Sequence, residues 1–500
     1  GDIKPFISPK EKPIQTSKIK KVESKTTKKT DINKIEKKLA STNKNIFILP
    51  KKKPSTYRAV ANIQKTSKIL KSKDFERAKE VINFIKVKKW NSALKATQKV
   101  KDRDFRNLVN WMYLKTNGNS ANFNDYQKFI TLNPDYPRIK RLQYLSEQKI
   151  YLKNQSPTAI ISWFQKYPPV SGMGKIKLAE AYLEQGRLDL IPQLIKEGWV
   201  DAVIRKNDLG YYRAKFKKYL TVDDHIKRTD YLAWNKKYWD VRRMLRYLPK
   251  DEKALYNARQ ILMSNSYGVD NAIAKVPDHF KKNVGLEYNR LEWRNRRGRL
   301  EPSLEILYRH GNKSENDLVR ADLWWKQRES ITRTLIYKKR YKTAYKVASE
   351  HSLTNGPEFA EAEWLSGWVA LSFLKSGEYA INHFENFYNN VGYPISLARG
   401  AYWLGKSYQS LGDKKNAEKY FKEASNYLTT YYGQLAFMEL NQSAKFELSK
   451  DIEVKKEYRD YFFKKEIVKV IYLLDELDED KYTKHILRHL ANDNVDSGSE

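Results

Sequence analysis

The chain has 500 residues, of which 40% are apolar and 13% aromatic, so most of it carries enough apolar surface to fold. It contains no cysteine, which excludes a disulfide framework and a cysteine-based metal site, and no run of 18 apolar residues that would span a membrane. The net charge of +37 has two interpretations: an anionic partner, or a lysine-rich composition carried on solvated helix faces.

The first 57 residues are rich in Lys, Thr, Ser and Pro. They contain 16 Lys and five acidic residues, so they carry +11 of the net charge and leave +26 for the rest of the chain. Because few large apolar residues are present, we predict a disordered leader or tether over residues 1–57. The chain begins at Gly1, and we expect that a signal peptide has already been removed.

From about residue 58 onward the spacing of apolar residues is that of α-helices. One apolar face is formed by Trp364, Leu365, Trp368 and Leu371, and the next by Ala380, Phe384 and Phe387. The intervening Ser376-Gly377-Glu378 predicts a short turn, with Gly377 in the left-handed conformation that ends many helices. This pattern predicts two antiparallel helices, which together make one hairpin.

The hairpin recurs at the spacing of a tetratricopeptide (TPR) repeat. Ala344, Ala380 and Ala417 are separated by 36 and 37 residues, and each has a partner four residues on, namely Ala348, Phe384 and Phe421. Small residues let two helices approach, and the aromatic residue fills the gap to the next hairpin. We therefore predict an all-α superhelical stack of TPR-like hairpins over residues 58–445, ring- or horseshoe-shaped.

An ordered series of segments resembles the superhelical domain of the soluble lytic murein transglycosylases of the periplasm. The segments are 123–142, 163–187, 288–299, 362–368, 394–405 and 431–436, so the resemblance covers roughly residues 60–490. The last segment, Tyr431-Tyr432-Gly433-Gln434-Leu435-Ala436, is similar to a short aromatic–Gly–Gln signature of the family. The resemblance implies a periplasmic location and peptidoglycan glycan strands as the partner.

The resemblance also implies a chemistry, but not for this chain alone. Such enzymes cleave the β-1,4 bond between N-acetylmuramic acid and N-acetylglucosamine and leave a 1,6-anhydro product, with one Glu as general acid and then base. In the family that Glu opens a lysozyme-like domain with a Glu-Ser pair, followed by Met-Gln and Asn-Ala-Gly segments that this sequence lacks. Glu329-Ser330 lies on a repeat helix, where we predict a solvated pair. We expect residues 446–500 to begin an incomplete helical linker, and this chain alone to be inactive.

Two sets of candidate site residues follow, and none of them is predicted to be catalytic. Tyr431, Tyr432 and Gln434 are expected to contact the missing catalytic domain rather than substrate. A candidate glycan or anion groove is formed by Trp293, Arg294, Arg297 and Arg299.

Neither a metal nor a cofactor is predicted. His485 and His489 have the i, i+4 spacing of metal ligands, but Ile486 stands where a metalloprotease needs Glu, and Lys484 and Arg488 would repel a cation. The segment 171–175 lacks the preceding strand, the first Gly and the final Ser/Thr of a phosphate-binding loop.

Three functions remain open from sequence. The first is a peptidoglycan-engaging scaffold of a lytic transglycosylase. The second is a stand-alone TPR-like repeat protein that binds a protein partner in its groove. The third is a basic nucleic-acid-binding α-solenoid, in which the arginine cluster near Trp293 stacks on and neutralises the strand; we do not favour it.

Overall fold

Residues 66–440 and 455–493 are described by a computed structural model, in which this part of the chain forms 26 α-helices and no β-strand. These residues belong to one compact unit. The helices are α1 (Ser72–Lys86), α2 (Trp90–Thr97), α3 (Arg103–Leu114), α4 (Phe123–Leu132), α5 (Ile139–Glu147), α6 (Pro157–Lys166), α7 (Gly172–Glu184), α8 (Ile191–Asp201), α9 (Leu209–Lys215), α10 (Val222–Trp234), α11 (Tyr238–Met244), α12 (Lys250–Ser264), α13 (Val269–Ala274), α14 (Val284–Arg296), α15 (Leu300–Arg309), α16 (Glu315–Leu318), α17 (Ala321–Tyr337), α18 (Tyr341–Ser349), α19 (Gly356–Ser372), α20 (Gly377–Asn389), α21 (Pro394–Ser410), α22 (Lys414–Ser425), α23 (Tyr431–Leu440), α24 (Lys456–Phe463), α25 (Glu466–Glu476) and α26 (Thr483–Asp493). The predicted all-α superhelical fold class is confirmed, whereas the tether predicted over residues 1–57 lies outside the described residues.

Short polar side chains divide the chain into these helices. Eight residues that precede a helix accept a hydrogen bond from the backbone N–H three residues further on: Asp102, Asn122, Ser156, Ser171, Thr221, Asn283, Ser314 and Asp413. Three of them form reciprocal capping boxes with an Asp at that position. These bonds satisfy N–H groups that have no partner inside the helix, and so they fix where these eight helices begin.

The predicted repeat positions lie at the contacts between helices. Ala344, Ala380 and Ala417 are buried in α18, α20 and α22, the second helices of three successive hairpins, and their partners four residues on are buried as well. In two of these hairpins a glycine of the first helix faces the aromatic ring, whereas the hairpin of α18 has Ala348 at the corresponding position. A Cβ at Gly367 would lie 2.9 Å from Phe384, and a Cβ at Gly405 would lie 2.6 Å from Phe421. The small-against-large interpretation is therefore confirmed.

The turn between α19 and α20 differs from the prediction. Lys375, with φ of 57°, is the left-handed residue that ends the first helix, whereas Gly377 is the first residue of α20. Gly377 is required for a different reason: a Cβ there would lie 2.6 Å from the Ser410 hydroxyl and 2.8 Å from Leu411. Lysine is also the left-handed residue at positions 88, 236 and 339, so these hairpins end their first helix without glycine.

Replacing Gly405 by alanine should destabilise the protein by about 1–2 kcal/mol. The added methyl group would overlap the buried Phe421 ring, and such overpacking costs about 1–3 kcal/mol, partly offset by the higher helix propensity of alanine. The matched control is Gly392→Ala, because nothing lies within 4 Å of a Cβ at Gly392. Thermal denaturation of the two variants checks this. Equal melting temperatures would contradict the close glycine–aromatic contact.

The last described helices pack against the first ones. Ile467, Val470 and Leu474 of α25 share one apolar core with Phe105 and Trp111 of α3.

Hydrogen bonds also fix how α25 lies against the first helices. Lys469 donates to Asp102 and Asp104, both at 2.8 Å, and the Tyr136 hydroxyl donates to Glu466 at 3.0 Å.

No helix among the described residues is both long and apolar enough to cross a membrane.

Part of the positive charge lies inside the stack. Arg228 donates to the carbonyl oxygens of Trp199 and Ala202 at the end of α8, and Arg328 donates to those of Leu307 and Val347 near the ends of α15 and α18. Both arginines are buried. The last carbonyl groups of a helix have no partner within it and carry negative partial charge, so a guanidinium satisfies them well. These arginines are structural.

Candidate functional site

The predicted arginine groove is a cavity where α14 turns into α15. Its volume is about 330 Å³, and Arg290, Trp293, Arg294 and Arg299 contribute to its lining together with residues of α12 and α13, whereas the predicted Arg297 is not part of the lining. We call it the arginine–tryptophan cavity. The turn residue Gly298, with φ of 66°, reverses the chain there, and the arginines on either side of it lie over one indole ring.

The four predicted residues divide into two roles. The guanidinium groups of Arg297 and Arg299 lie 4.6 and 4.8 Å from the centre of the Trp293 ring, and both side chains are exposed. Arg294 is engaged instead, because its Nη1 donates to the carbonyl oxygen of Pro302 at 2.6 Å. Burial, and then the neighbouring Arg290, lower the pKa of Arg294 below its ordinary value.

The arginines at the cavity offer hydrogen-bond donors, and Asp270 adds one carboxylate to the lining. No carboxylate pairs with Arg297 or Arg299 among residues 66–440 and 455–493. Cations stacked on an aromatic face keep their outward N–H groups available. This arrangement suits an oxyanion such as a carboxylate, with an apolar group resting on the rim.

The second predicted set lies at the start of α23. Tyr431 is 68% exposed, and the exposed Gln434 folds back to donate to the carbonyl oxygen of Leu428 at 2.9 Å. Tyr432 packs on the rings of Tyr402 and Trp403 at 5.5 and 6.4 Å. A Cβ at Gly433 would overlap the Tyr427 carbonyl, which explains the glycine in this segment. The structure therefore gives Tyr432 a packing role and leaves Tyr431 on the surface.

A depression that sequence reasoning missed lies along α10. Its volume is about 560 Å³, and its lining includes Asp230, Tyr231, Trp234, Tyr256 and Val319. We call it the Tyr231 groove. The residues come from positions 200–256 and 319–320, so no local motif contains them. The available signal in the sequence was an acidic residue followed by an aromatic one, Asp230 and Tyr231, on a helix that also buries Trp234.

The histidines lie in structural contacts. His351 and His383 both hydrogen-bond the buried Glu363 carboxylate, at 2.9 and 2.6 Å. His489 contacts the carbonyl oxygen of Asp135 at 2.9 Å, across the contact between α26 and the first helices. Burial, and then the nearby Lys115, lower the pKa of His485. Within the described part of the chain, no group of three or more His, Asp or Glu side chains is placed to hold a metal ion.

Two further segments considered from sequence also have structural contacts. Glu329 pairs with Arg333 one turn along α17 at 2.8 Å, and Ser330 is exposed. Ser171 caps α7, where the buried Glu147 accepts the backbone N–H groups of Val170 and Ser171, both at 2.8 Å. The chain's own carboxylate thus occupies the position at the start of α7 where an anion would bind.

Comparisons with known proteins give matches among solved structures only. No protein-family model matches the chain, and no curated protein sequence matches it significantly. It is similar to the lytic transglycosylase Slt of Pseudomonas aeruginosa, solved as an inactive mutant, with 14% identity and a TM-score of 0.49 over 80% of this chain. It is also similar to a 70-kDa soluble lytic transglycosylase solved in complex with bulgecin A, with 11% identity and a TM-score of 0.44 over 85% of this chain. The chain spans 63% and 68% of the lengths of those two proteins. Sequence identities and TM-scores this low assign no role to any of its residues.

Proposed function

We propose that the helical stack is a peptidoglycan-engaging scaffold of a periplasmic lytic transglycosylase. The observation that carries the proposal is the pair of guanidinium groups stacked on the Trp293 ring at the arginine–tryptophan cavity, Arg299 in its lining and Arg297 beside it, neither paired with a carboxylate in the described part of the chain. In this role the chain holds the glycan, and a lysozyme-like domain supplies the Glu that cleaves the bond between N-acetylmuramic acid and N-acetylglucosamine.

The chemistry of the cavity agrees with that of the polymer. Peptidoglycan combines carboxylates on its lactyl and peptide groups with sugar rings that have an apolar face. Arg297 and Arg299 offer charge-assisted hydrogen bonds to the carboxylates, and the Trp293 ring offers an apolar surface between them. The ordered segments that resemble soluble lytic murein transglycosylases support the same conclusion independently of the cavity.

We further propose that Tyr431 and Gln434 face the catalytic domain. Both are exposed at the start of α23, while the neighbouring Tyr432 holds that helix against α21. An exposed tyrosine next to an amide is typical of contacts between domains, which are more polar than a core.

The test is retention of the purified chain on isolated sacculi. We expect binding at low salt, and the double variant Arg297→Ser/Arg299→Ser should lower retention about tenfold, since losing charge-assisted contacts removes about 1.5 kcal/mol. The matched control is Arg205→Ser/Arg333→Ser, which removes the same charge from exposed arginines elsewhere.

Two results would contradict the proposal. One is equal retention of the two double variants, which would mean that bulk charge alone attracts the chain. The other is binding to DNA with a steep salt dependence in the absence of binding to sacculi, which would promote the nucleic-acid solenoid.

A further inference from the structure

The Tyr231 groove is an open aromatic depression with a firm floor. The ring of Trp234 is buried and lies 5.4 Å from Tyr288, while Tyr256 donates its hydroxyl to Asp230 at 3.1 Å. Tyr231 stands above this floor with 38% of its surface exposed. The volume of about 560 Å³ lies in the range of sites that bind small molecules, and such sites combine apolar walls with a few fixed polar groups.

The Asp230 carboxylate in the groove is held in place by two hydrogen-bond donors. Oδ1 of Asp230 accepts from Nη1 of the buried Arg259 at 2.6 Å and from the Tyr256 hydroxyl. Oδ2 has no hydrogen bond within the described residues, and the side chain is about one-third exposed. Asp230 therefore presents a preorganised acceptor beside the Tyr231 ring, with its charge balanced by Arg259.

The opposite rim is a strained turn. Val319 has φ of 63° and ψ of −49°, and the backbone N–H of Arg320 donates to the Leu318 carbonyl at 2.6 Å, which defines a tight γ-turn. A β-branched residue rarely adopts positive φ, and such strain persists only where the surroundings enforce it. Leu318 is buried on one side, and on the other Arg320 is bound at 2.8 and 2.7 Å by the Asp322 carboxylate.

The turn places an apolar side chain where solvent would favour a polar one. Val319 is 56% exposed and faces the groove together with Val200 and Ile226. A strained backbone that holds an exposed valine at the edge of a cavity indicates a surface built for a ligand rather than for stability.

We propose that the Tyr231 groove binds one N-acetylated pyranose ring of a β-1,4-linked glycan. The C–H face of the sugar rests on Tyr231, the amide N–H donates to Oδ2 of Asp230, and the acetyl methyl group contacts Val200, Ile226 and Val319. Arg320 borders the same space and donates to a ring hydroxyl. The choice of glycan rests on the proposed function, whereas the groove itself is defined by its own residues.

The primary experiment is calorimetric titration with chitotetraose, a soluble N-acetylglucosamine tetramer that carries no carboxylate. We expect saturable binding, at least a tenfold loss in Tyr231→Ala, and no change in Tyr337→Ala. Tyr337 is the matched control because it is 88% exposed at the end of α17 and lines none of the depressions described above. Cellotetraose, which lacks the acetamido group, should bind at least tenfold more weakly, because the apolar wall and Asp230 lose their partners.

A second variant separates ligand binding from folding. Val319→Gly allows positive φ without strain, so the melting temperature should stay unchanged or rise, while chitotetraose affinity should fall. Normal affinity in Tyr231→Ala, equal binding of cellotetraose, or undiminished affinity in Val319→Gly would each overturn the proposal.

The outcomes distinguish this proposal from the scaffold function. If sacculi retain the chain through Arg297 and Arg299 but chitotetraose does not bind, the groove assignment fails and the scaffold proposal stands. If chitotetraose binds through Tyr231 but sacculi do not retain the chain, the scaffold proposal fails and the groove assignment stands.

Discussion

Replacing Arg328 by alanine is expected to lower the free energy of unfolding by about 4 kcal/mol. Arg328 is buried in α17 and donates to Val347 at 2.9 Å and to Leu307 at 3.4 Å, the carbonyl groups near the ends of two other helices. Loss of the hydrogen bond to the buried Val347 carbonyl costs about 1–3 kcal/mol, and the truncated side chain also leaves a cavity. The Leu307 carbonyl keeps a second partner, the backbone N–H of His310 at 3.2 Å. Burial lowers the pKa of Arg328 to about 10, so the side chain remains charged at neutral pH.

Two further variants show whether lost hydrogen bonds or lost volume cause the destabilisation of Arg328→Ala. Arg328→Met fills most of the volume but donates no hydrogen bond to the Val347 carbonyl, so we expect a loss of about 1–3 kcal/mol from that unsatisfied group alone. Arg333→Ala on the same helix is the control, because its ion pair with Glu329 is exposed and contributes less than about 1 kcal/mol. Urea denaturation measures all three. If Arg328→Met were as stable as the wild type, the capping explanation would be wrong, and Arg328 would be only a space-filling residue.

The second large effect concerns acid stability and comes from Glu363. This buried carboxylate accepts hydrogen bonds from His351, His383 and the Asn386 amide. Burial opposes ionisation, but the two histidines outweigh it and lower the pKa of Glu363 to about 2 from its ordinary value of 4.5. A carboxyl pKa that is lower in the folded state stabilises the fold above the unfolded pKa, and this stability is lost as the pH falls through the folded pKa.

The pH window follows from these two values. Glu363 should contribute about 3 kcal/mol above pH 4.5, and this contribution should vanish progressively between pH 4.5 and about 2. Glu363→Gln should therefore melt well below the wild type at pH 6, and the difference should shrink towards pH 2.5. Glu361→Gln is the control, since Glu361 lies on the same helix in a half-exposed pair with Arg399. A difference in melting temperature that stays constant from pH 6 to 2.5 would contradict the ionic role of Glu363.

The hairpins were predictable from sequence because their determinants are local. A small residue, a second apolar residue four positions later and a turn define each hairpin, and burial of Ala380 and Phe384 follows from that spacing. The left-handed turn residue was predicted wrongly because Gly377 serves a contact with Leu411, which lies in a later hairpin. No local pattern reveals such a distant requirement.

The candidate sites were predictable in part for the same reason. Trp293, Arg297 and Arg299 lie within seven residues, so the stacked cations are visible in the sequence. The Tyr231 groove was not, because its rim comes from Val319, and nothing about a valine in sequence indicates a strained turn. The buried arginines were equally invisible, since their partners are backbone carbonyl groups.

The packing of α25 and α26 on the first helices has a consequence for synthesis on the ribosome. Lys469 reaches Asp102 and Asp104, and the N–H of Lys68 reaches Glu476 at 2.8 Å, so these partners are more than 350 residues apart. Most hairpins can form as they emerge, whereas the apolar surface around Trp111 stays uncovered until α25 and α26 have been made. Helices made early thus wait for these later ones before their packing is complete, and that interval is when a chaperone would be needed most.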